Sequence, residues 1–371
     1  MTPKRKFAQR VNEIDISGIR KIFEAAGQDA VNMGLGQPDF DTPNHIKQAA
    51  IDAIIDGFTG YTSNLGIPEL RQALCEKFTQ DNNFKVAPND IIITSGASEA
   101  LHIALLALVE AGDEVLVPDP GFVSYAALSG FAGGKVVGVP LSENHTLTAD
   151  NVLEHITDRT RVLFINSPSN PTGSVQTQDE IKGLCQVAED HNITIISDEV
   201  YEHFIYSGKH VSPASMYENT VTINATSKTY AMTGWRLGYV AAPHDITEQM
   251  LKVHQYVQAC ANSIAQKAAL AAITGSQDCV TQMYVSFKRR RDLLMKGFKD
   301  IGITCVEPQG AFYAFPEVEN SMDAVQKLLE AGVITAPGEA FGPRGAGHIR
   351  LSYATSDEDI QRALEIMGQV L

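Results

Sequence analysis

The stretch Ala225-Thr226-Ser227-Lys228-Thr229-Tyr230-Ala231-Met232-Thr233-Gly234-Trp235-Arg236-Leu237-Gly238 has the types and spacing of a reactive site. A lone lysine is ordinarily solvated. Lys228 instead follows a strand expected over 221–224, sits among Ser, Thr and Gly, and precedes Arg236. A lysine withheld from bulk water near another cation binds its proton less tightly and becomes an imine-forming nucleophile. Asp198 closes a second apolar run, Ile195-Ile196-Ser197, ahead of Glu199-Val200-Tyr201. A carboxylate at the end of a buried strand needs a cation or hydrogen-bond donors; an N-cap or a surface acid is the plain alternative. Arg350 lies inside the apolar run Ile349-Arg350-Leu351-Ser352-Tyr353. A guanidinium there needs an anion, which a structural ion pair would also supply.

Two loops complete the set. Leu163-Phe164-Ile165 leads into Asn166-Ser167-Pro168-Ser169-Asn170-Pro171-Thr172-Gly173. Turn formation explains the prolines and Gly173, but not two asparagines at a strand end. Ile93-Thr94 leads into Ser95-Gly96-Ala97-Ser98-Glu99-Ala100, which opens a helix. Small residues there let backbone N–H groups approach an anion that the helix terminus already favours. Ser98 acting only as a helix cap explains it equally well. The loop is neither GxxxxGK[ST] nor G-x-G-x-x-G, and no G-x-S-x-G elbow occurs.

The elements that must carry these groups alternate. Strands are expected over 90–94, 113–117, 135–139, 161–165, 193–197, 221–224 and 237–241. Helices are expected over 97–110, 122–132, 149–156 and 177–191. Apolar strands separated by helices of this length predict an α/β fold, with a mostly parallel sheet covered on both faces and right-handed crossovers. Ligands of such sheets sit beyond the carboxyl ends of the strands, where these motifs fall. Long helical stretches follow over 245–274 and 277–300. A smaller α+β unit comes next, with strands over 303–306, 310–315, 333–336 and 348–352 and a closing helix over 357–371. The N-terminal segment, helical over 18–26, is expected to pack on that unit. The domains are therefore read as 1–42 (N-terminal segment), 43–287 (large domain) and 288–371 (small domain).

Composition bounds the function. The 371 residues allow two domains, and 44% hydrophobic with 20% charged residues is a globular balance. Lys and Arg total 29 against 44 Asp and Glu, a net charge of −15, which argues against a nucleic-acid partner. The chain has neither the apolar run a membrane helix needs nor a secretory signal, so no membrane partner is expected. Five scattered cysteines without CxxC argue against a disulfide framework or a zinc cluster and for the cytoplasm. The ten histidines offer no metal signature. His203, His210, Glu99, Glu199 and Glu202 are read as structural or solvated, and Lys288-Arg289-Arg290-Arg291 as a solvated helix face.

The set resembles the class I pyridoxal-phosphate-dependent aminotransferases of fold type I, most of all the bacterial and archaeal aspartate or aromatic amino acid enzymes. The resemblance runs over almost the whole chain: Gly18-Ile19-Arg20; Leu35-Gly36-Gln37-Pro38-Asp39-Phe40-Asp41-Thr42-Pro43; Tyr61 through Gly66-Ile67-Pro68-Glu69-Leu70-Arg71; Asp119-Pro120 through Tyr125; Asn170-Pro171-Thr172-Gly173; Ser197-Asp198-Glu199-Val200-Tyr201; Ser227-Lys228 through Gly238; and Arg350-Leu351-Ser352-Tyr353. It implies a large domain with a seven-stranded, mostly parallel sheet between helices, plus a smaller α+β domain. It implies pyridoxal 5′-phosphate as cofactor. Lys228 would be its covalent anchor and the acid and base of the reaction, and Asp198 would pair with the ring nitrogen. Tyr201 and Asn170 would bond the ring's 3′ oxygen, and Phe122 would stack on the ring. Gly96, Ala97, Ser98, Ser227 and Arg236 would hold the phosphate. Tyr61 would reach it from the second subunit of a homodimer. Arg350, with Asn170 and the Gly36 backbone, would clamp the substrate carboxylate.

The implied reaction moves an amino group between an L-amino acid, aspartate or aromatic, and a 2-oxo acid such as 2-oxoglutarate, by ping-pong chemistry through a Lys aldimine. A C–S lyase and a broad-specificity aminotransferase on the same scaffold stay open. A non-catalytic binding relative would not need intact Lys228, Asp198 and Arg236. Three positions depart from the pattern. Ala225 stands where many relatives have serine, and Phe122 where they often have Trp or Tyr. Ser98 stands where some bacterial aspartate enzymes carry a lysine that reads a side-chain carboxylate.

Overall fold

The computed structural model describes residues 7–12, 14 and 30–371; the helical stretch expected over 18–26 lies outside them. A short strand, β1 (Val31–Asn32), precedes the helices Asn44–Ile55 and Pro68–Asp81. Seven further strands follow: β2 (Ile91–Thr94), β3 (Glu114–Asp119), β4 (Lys135–Pro140), β5 (Thr160–Asn166), β6 (Thr194–Asp198), β7 (Thr220–Ala225) and β8 (Gly238–Ala241). They form one sheet in the order β2-β8-β7-β6-β5-β3-β4. β3 to β7 run parallel, and β8 runs against both its neighbours. This is the seven-stranded sheet that the resemblance implies.

Both faces of the sheet are apolar because both are covered. Ile92, Val162, Phe164, Ile196, Val221 and Val240 share one cluster with the helix Ala97–Leu108. Leu116, Leu163, Ile165 and Ile195 pack against the helix Gln178–Asp190, whose start is fixed by a capping box between Thr177 and Glu180. Each fully buried side chain of this kind contributes roughly 1.5–3 kcal/mol. The register then lines up the chemistry. Asn166 pairs with Asp198, Asp198 with Ile223, and Gly238 with both Thr94 and Ala225. The carboxyl ends of β2, β5, β6 and β7 and the amino end of β8 therefore share one edge.

Two further helices, His244–Val257 and Ser263–Thr274, complete the cover of this sheet, and the chain beyond them builds a second layer. The helix Asp278–Ile301 leads into β9 (Tyr313–Ala314), β10 (Val333–Ile334), β11 (Ala336–Pro337), β12 (Ile349–Ser352) and the helix Asp357–Val370. β9, β12 and β11 form an antiparallel sheet, and β1 pairs with β10. Residues 31 and 32 thus pack on the C-terminal unit. Phe204, Phe287, Phe298, Phe312, Leu351 and Tyr353 belong to the core of this layer.

Four details differ from the sequence reading. The stretch 245–274 is two helices, because Ala259 takes φ 64° and the Asn262 side chain caps the second helix at Ala265. Residues 303–306 are not a strand; they leave the cap of the preceding helix, where Gly302 turns left-handed and Ile303 bonds back to Phe298. The strand expected over 310–315 shortens to Tyr313–Ala314, since Ala311 at φ 55° breaks it. The run 288–291 is not a solvated face, because Arg290 and Arg291 are buried. Successive helical residues point about 100° apart, so four in a row cannot all face water. No described helix is long and apolar enough to cross a membrane.

Candidate active site

The edge where the strands end opens into a cavity of about 290 Å³. Gly36, Ala97, Ser98, Phe122, Asn170, Asp198, Tyr201, Ser227, Lys228, Arg236 and Arg350, singled out from sequence, all line it. Two do not. Gly96 lies just behind the wall, and Tyr61, 91% exposed, lies on the surface of its own chain.

Lys228 lies in the helical turn Thr226–Thr229 that leaves β7, and its Nζ donates to the Gly36 carbonyl at 2.7 Å. Burial, reinforced by Arg350 and Arg236, lowers its pKa to about 8, while Asp198 pulls the other way. In cofactor-free protein, capture of an aldehyde probe by Lys228, trapped with borohydride and mapped by peptide mass, should be half-maximal near pH 8. A midpoint at the ordinary lysine value of 10.5 would mean that the cavity does not activate the amine.

Asp198 is buried at the end of β6. Its Oδ2 accepts from Tyr125 Oη at 2.8 Å and its backbone carbonyl from Asn166 Nδ2 at 2.9 Å. Burial pushes the carboxyl up to about 6, and the Tyr125 bond holds it back from rising further. Such a group is poised to gain a cation, which would favour its ionised form.

Gly96 and Arg236 make an anion cradle. Gly96 has φ +80°, and a Cβ there would meet the Arg236 guanidinium at 2.6 Å. A Cβ on Gly238 would meet Ala97 N at 2.6 Å, so glycine is needed for this close approach. The first N–H groups of a helix have no partners within it, and here the helix Ala97–Leu108 starts at the cavity wall. Behind the cradle Glu99 accepts from Ser95 N and pairs with buried His254 at 2.7 Å, in keeping with its structural reading.

Arg350 projects from β12 and is buried. It donates to Asn170 Oδ1 at 3.1 Å and to the Gly34 carbonyl at 2.5 Å, and stacks 4.8 Å from the Tyr313 ring centroid. Its Nε has no protein partner. A buried guanidinium with an unused donor in a cavity is set to receive an anion.

Sequence reasoning missed Tyr125, Asn166 and Tyr313. Tyr125 and Asn166 were within quoted motifs, but nothing in the string says that one reaches Asp198 and the other holds Asn170 N at 2.8 Å. Tyr313 bonds Tyr201 hydroxyl to hydroxyl at 2.8 Å, and a Cβ on Gly36 would meet its Oη at 1.9 Å. One aromatic in an apolar strand reads as core, so no signal marked it.

The family described as aminotransferase class I and II matches residues 28–367. The chain belongs to that family. It is a pyridoxal-phosphate-dependent aminotransferase. It is 48% identical to a probable aspartate aminotransferase of Methanocaldococcus jannaschii, over 98% of this chain and 99% of the relative. It is 41% identical to aromatic-amino-acid aminotransferase 2 of Thermococcus litoralis, over 98% of each. Among solved structures, the aspartate aminotransferase of Thermus thermophilus with maleate superposes with a TM-score of 0.95 at 39% identity, covering 99% of this chain and all of the other. The fold is therefore that of the fold type I enzymes. The cavity fits the cofactor: a shielded amine, a buried carboxylate short of a cation, and a helix start at Ala97 and Ser98 beside Arg236 line one space, with Gly96 directly behind.

Proposed function

We propose that this aminotransferase moves the amino group of L-aspartate or an aromatic L-amino acid to 2-oxoglutarate in two half-reactions. The observation that carries the reading is Arg350, a buried guanidinium with a free Nε in the same cavity as the Lys228 amine. The names of the relatives support this donor range and give no support to a C–S lyase.

Bound pyridoxal phosphate supplies the aldehyde that takes the amino group and the electron-poor ring that accepts the electrons of the Cα–H bond. The chain's residues do the rest. Arg236, Ser227 and the Gly96-Ala97-Ser98 backbone hold the phosphate. Phe122 covers one face of the ring, and Tyr201 and Asn170 bond its oxygen. Asp198, held by Tyr125, keeps a proton on the ring nitrogen. Arg350 grips the α-carboxylate with Asn170 and the Gly36 backbone beside it, which leaves the Cα proton within reach of Lys228 Nζ. That amine would take the Cα proton and deliver it to the cofactor's aldehyde-derived carbon, the proton transfer that a transamination needs. Tyr61 serves the neighbouring site of a homodimer, a role that suits its exposure.

A panel of amino donors against 2-oxoglutarate tests this. Release of the donor's 2-oxo acid with glutamate is expected for aspartate or aromatic donors. Arg350→Lys should lower kcat/KM by about 10- to 150-fold, the worth of one charged hydrogen-bond partner. Steady pyruvate and ammonia without any acceptor, or an Arg350→Lys variant with unchanged kcat/KM, would reject the reading.

A further inference from the structure

The two buried arginines of the 288–291 run have different partners, and one of them holds the loop that lines the site. Arg290 forks onto Asp39, with NH1 to Oδ1 and NH2 to Oδ2 both at 2.8 Å. Its guanidinium also lies 5.5 Å from the Phe40 ring centroid and 5.8 Å from that of Phe287. Asp39 belongs to the loop over 33–42. That loop presents two carbonyls to the cavity: Gly34 to Arg350 and Gly36 to Lys228. Its entry is held by Asn32 Oδ1, which accepts from Gly34 N and Leu35 N, and its exit by Thr42, bonded to Ala231 O and Trp235 Nε1. Between them Asp39 carries the loop's one charged anchor to the helix Asp278–Ile301 among the described residues.

We propose that the Arg290–Asp39 pair is a positioning device for the substrate carboxylate site. A bidentate arginine–carboxylate pair fixes direction as well as distance. Through the loop it fixes the Gly34 carbonyl, and that carbonyl orients Arg350. The proposal rests on the reading of Arg350 as the carboxylate grip.

The test compares KM and kcat for the amino donor in Asp39→Asn and Arg290→Lys holoenzymes, alone and combined with Arg350→Lys. Asp39→Asn keeps size and leaves Arg290 its second partner, Asp357, at 3.5 Å, so the variant retains its fold. Each single variant should raise KM about ten-fold, the lower end of a charged hydrogen bond, with kcat within about two-fold, as for lost uniform binding. In the Arg350→Lys background Asp39→Asn should change KM by less than about two-fold, because positions acting through one group are not additive. A purely structural role would give additive losses. Unchanged KM in both Asp39→Asn and Arg290→Lys, loss confined to kcat, or full additivity would each overturn the proposal. If Arg350→Lys alone leaves KM unchanged, the carboxylate reading itself fails. If Arg350→Lys raises KM and the other two do not, only the positioning role fails.

Discussion

Lys228→Ala will lower turnover by at least 10²- to 10⁴-fold, the cost of removing a positioned acid and base, and will add the loss of the cofactor's covalent anchor. No neighbour can substitute. A guanidinium offers donors and no acceptor, and Asp198 accepts from Tyr125. The measurement is donor-dependent release of the 2-oxo acid. Residual activity comparable with that of Arg350→Ala would refute the assigned order of importance. A stability measurement separates chemistry from folding. Lys228 has a folded pKa of about 8, below the ordinary 10.5. The unfolded chain therefore holds more protons between those values, and the stability of the cofactor-free protein rises with pH across that window. Below about pH 8 the buried ammonium is a constant penalty. Cofactor-free Lys228→Ala should accordingly be more stable than the parent at pH 7, with the difference shrinking as the pH rises toward 10.5.

Glu202→Gln will destabilise the protein by roughly 3–5 kcal/mol, the cost of leaving a buried charge without its partner. Lys77, on the helix Pro68–Asp81, inserts its ammonium between Glu202 and Asn82. Asn82 Nδ2 in turn donates to Glu199 and Glu202, and Asn224 to Glu202. Glu199, Glu202 and His210 bring ligand-type atoms within 4.8 Å of one another, but the Lys77 ammonium already meets the Glu202 carboxylate there. This accords with the structural reading of both glutamates. Burial raises the Glu202 carboxyl pKa and Lys77, His203 and His210 lower it, with the net result held near 2. The contribution is thus complete above the ordinary carboxylate value of 4.5 and is lost as pH falls through 2. Denaturant unfolding of the cofactor-free variant measures it. A Glu202→Gln change below about 1 kcal/mol would mean that water reaches the pair.

The sheet and its cargo were legible because a doubly covered parallel strand has no polar face, so Ile92, Phe164 and Ile196 stand out as runs and polar residues mark their ends. Lys228, Asp198 and Asn170 stand at such ends. What stayed hidden depends on which way a side chain turns after folding. Tyr125 and Tyr313 carry hydroxyls into the cavity, yet each has the sequence signature of core. Arg290 hides for the opposite reason: a basic run suggests water, and only the approach of Asp39, 251 positions away, reveals a half-buried fork.

The reversed direction of β8 has a mechanical consequence. Its hydrogen-bonded pairing at Gly238–Ala225 closes residues 226–237 into a ring anchored at both ends on the main sheet. The Lys228 amine and the Arg236 guanidinium ride on that ring together. Arg350 rides on another, tied to Met33 through Ser352 N at 2.7 Å. Any sliding of the smaller layer would therefore shift Arg350 against that ring, and the strain would fall on the bridges between them, the Gly36 carbonyl on Lys228 and Asn170 on Arg350.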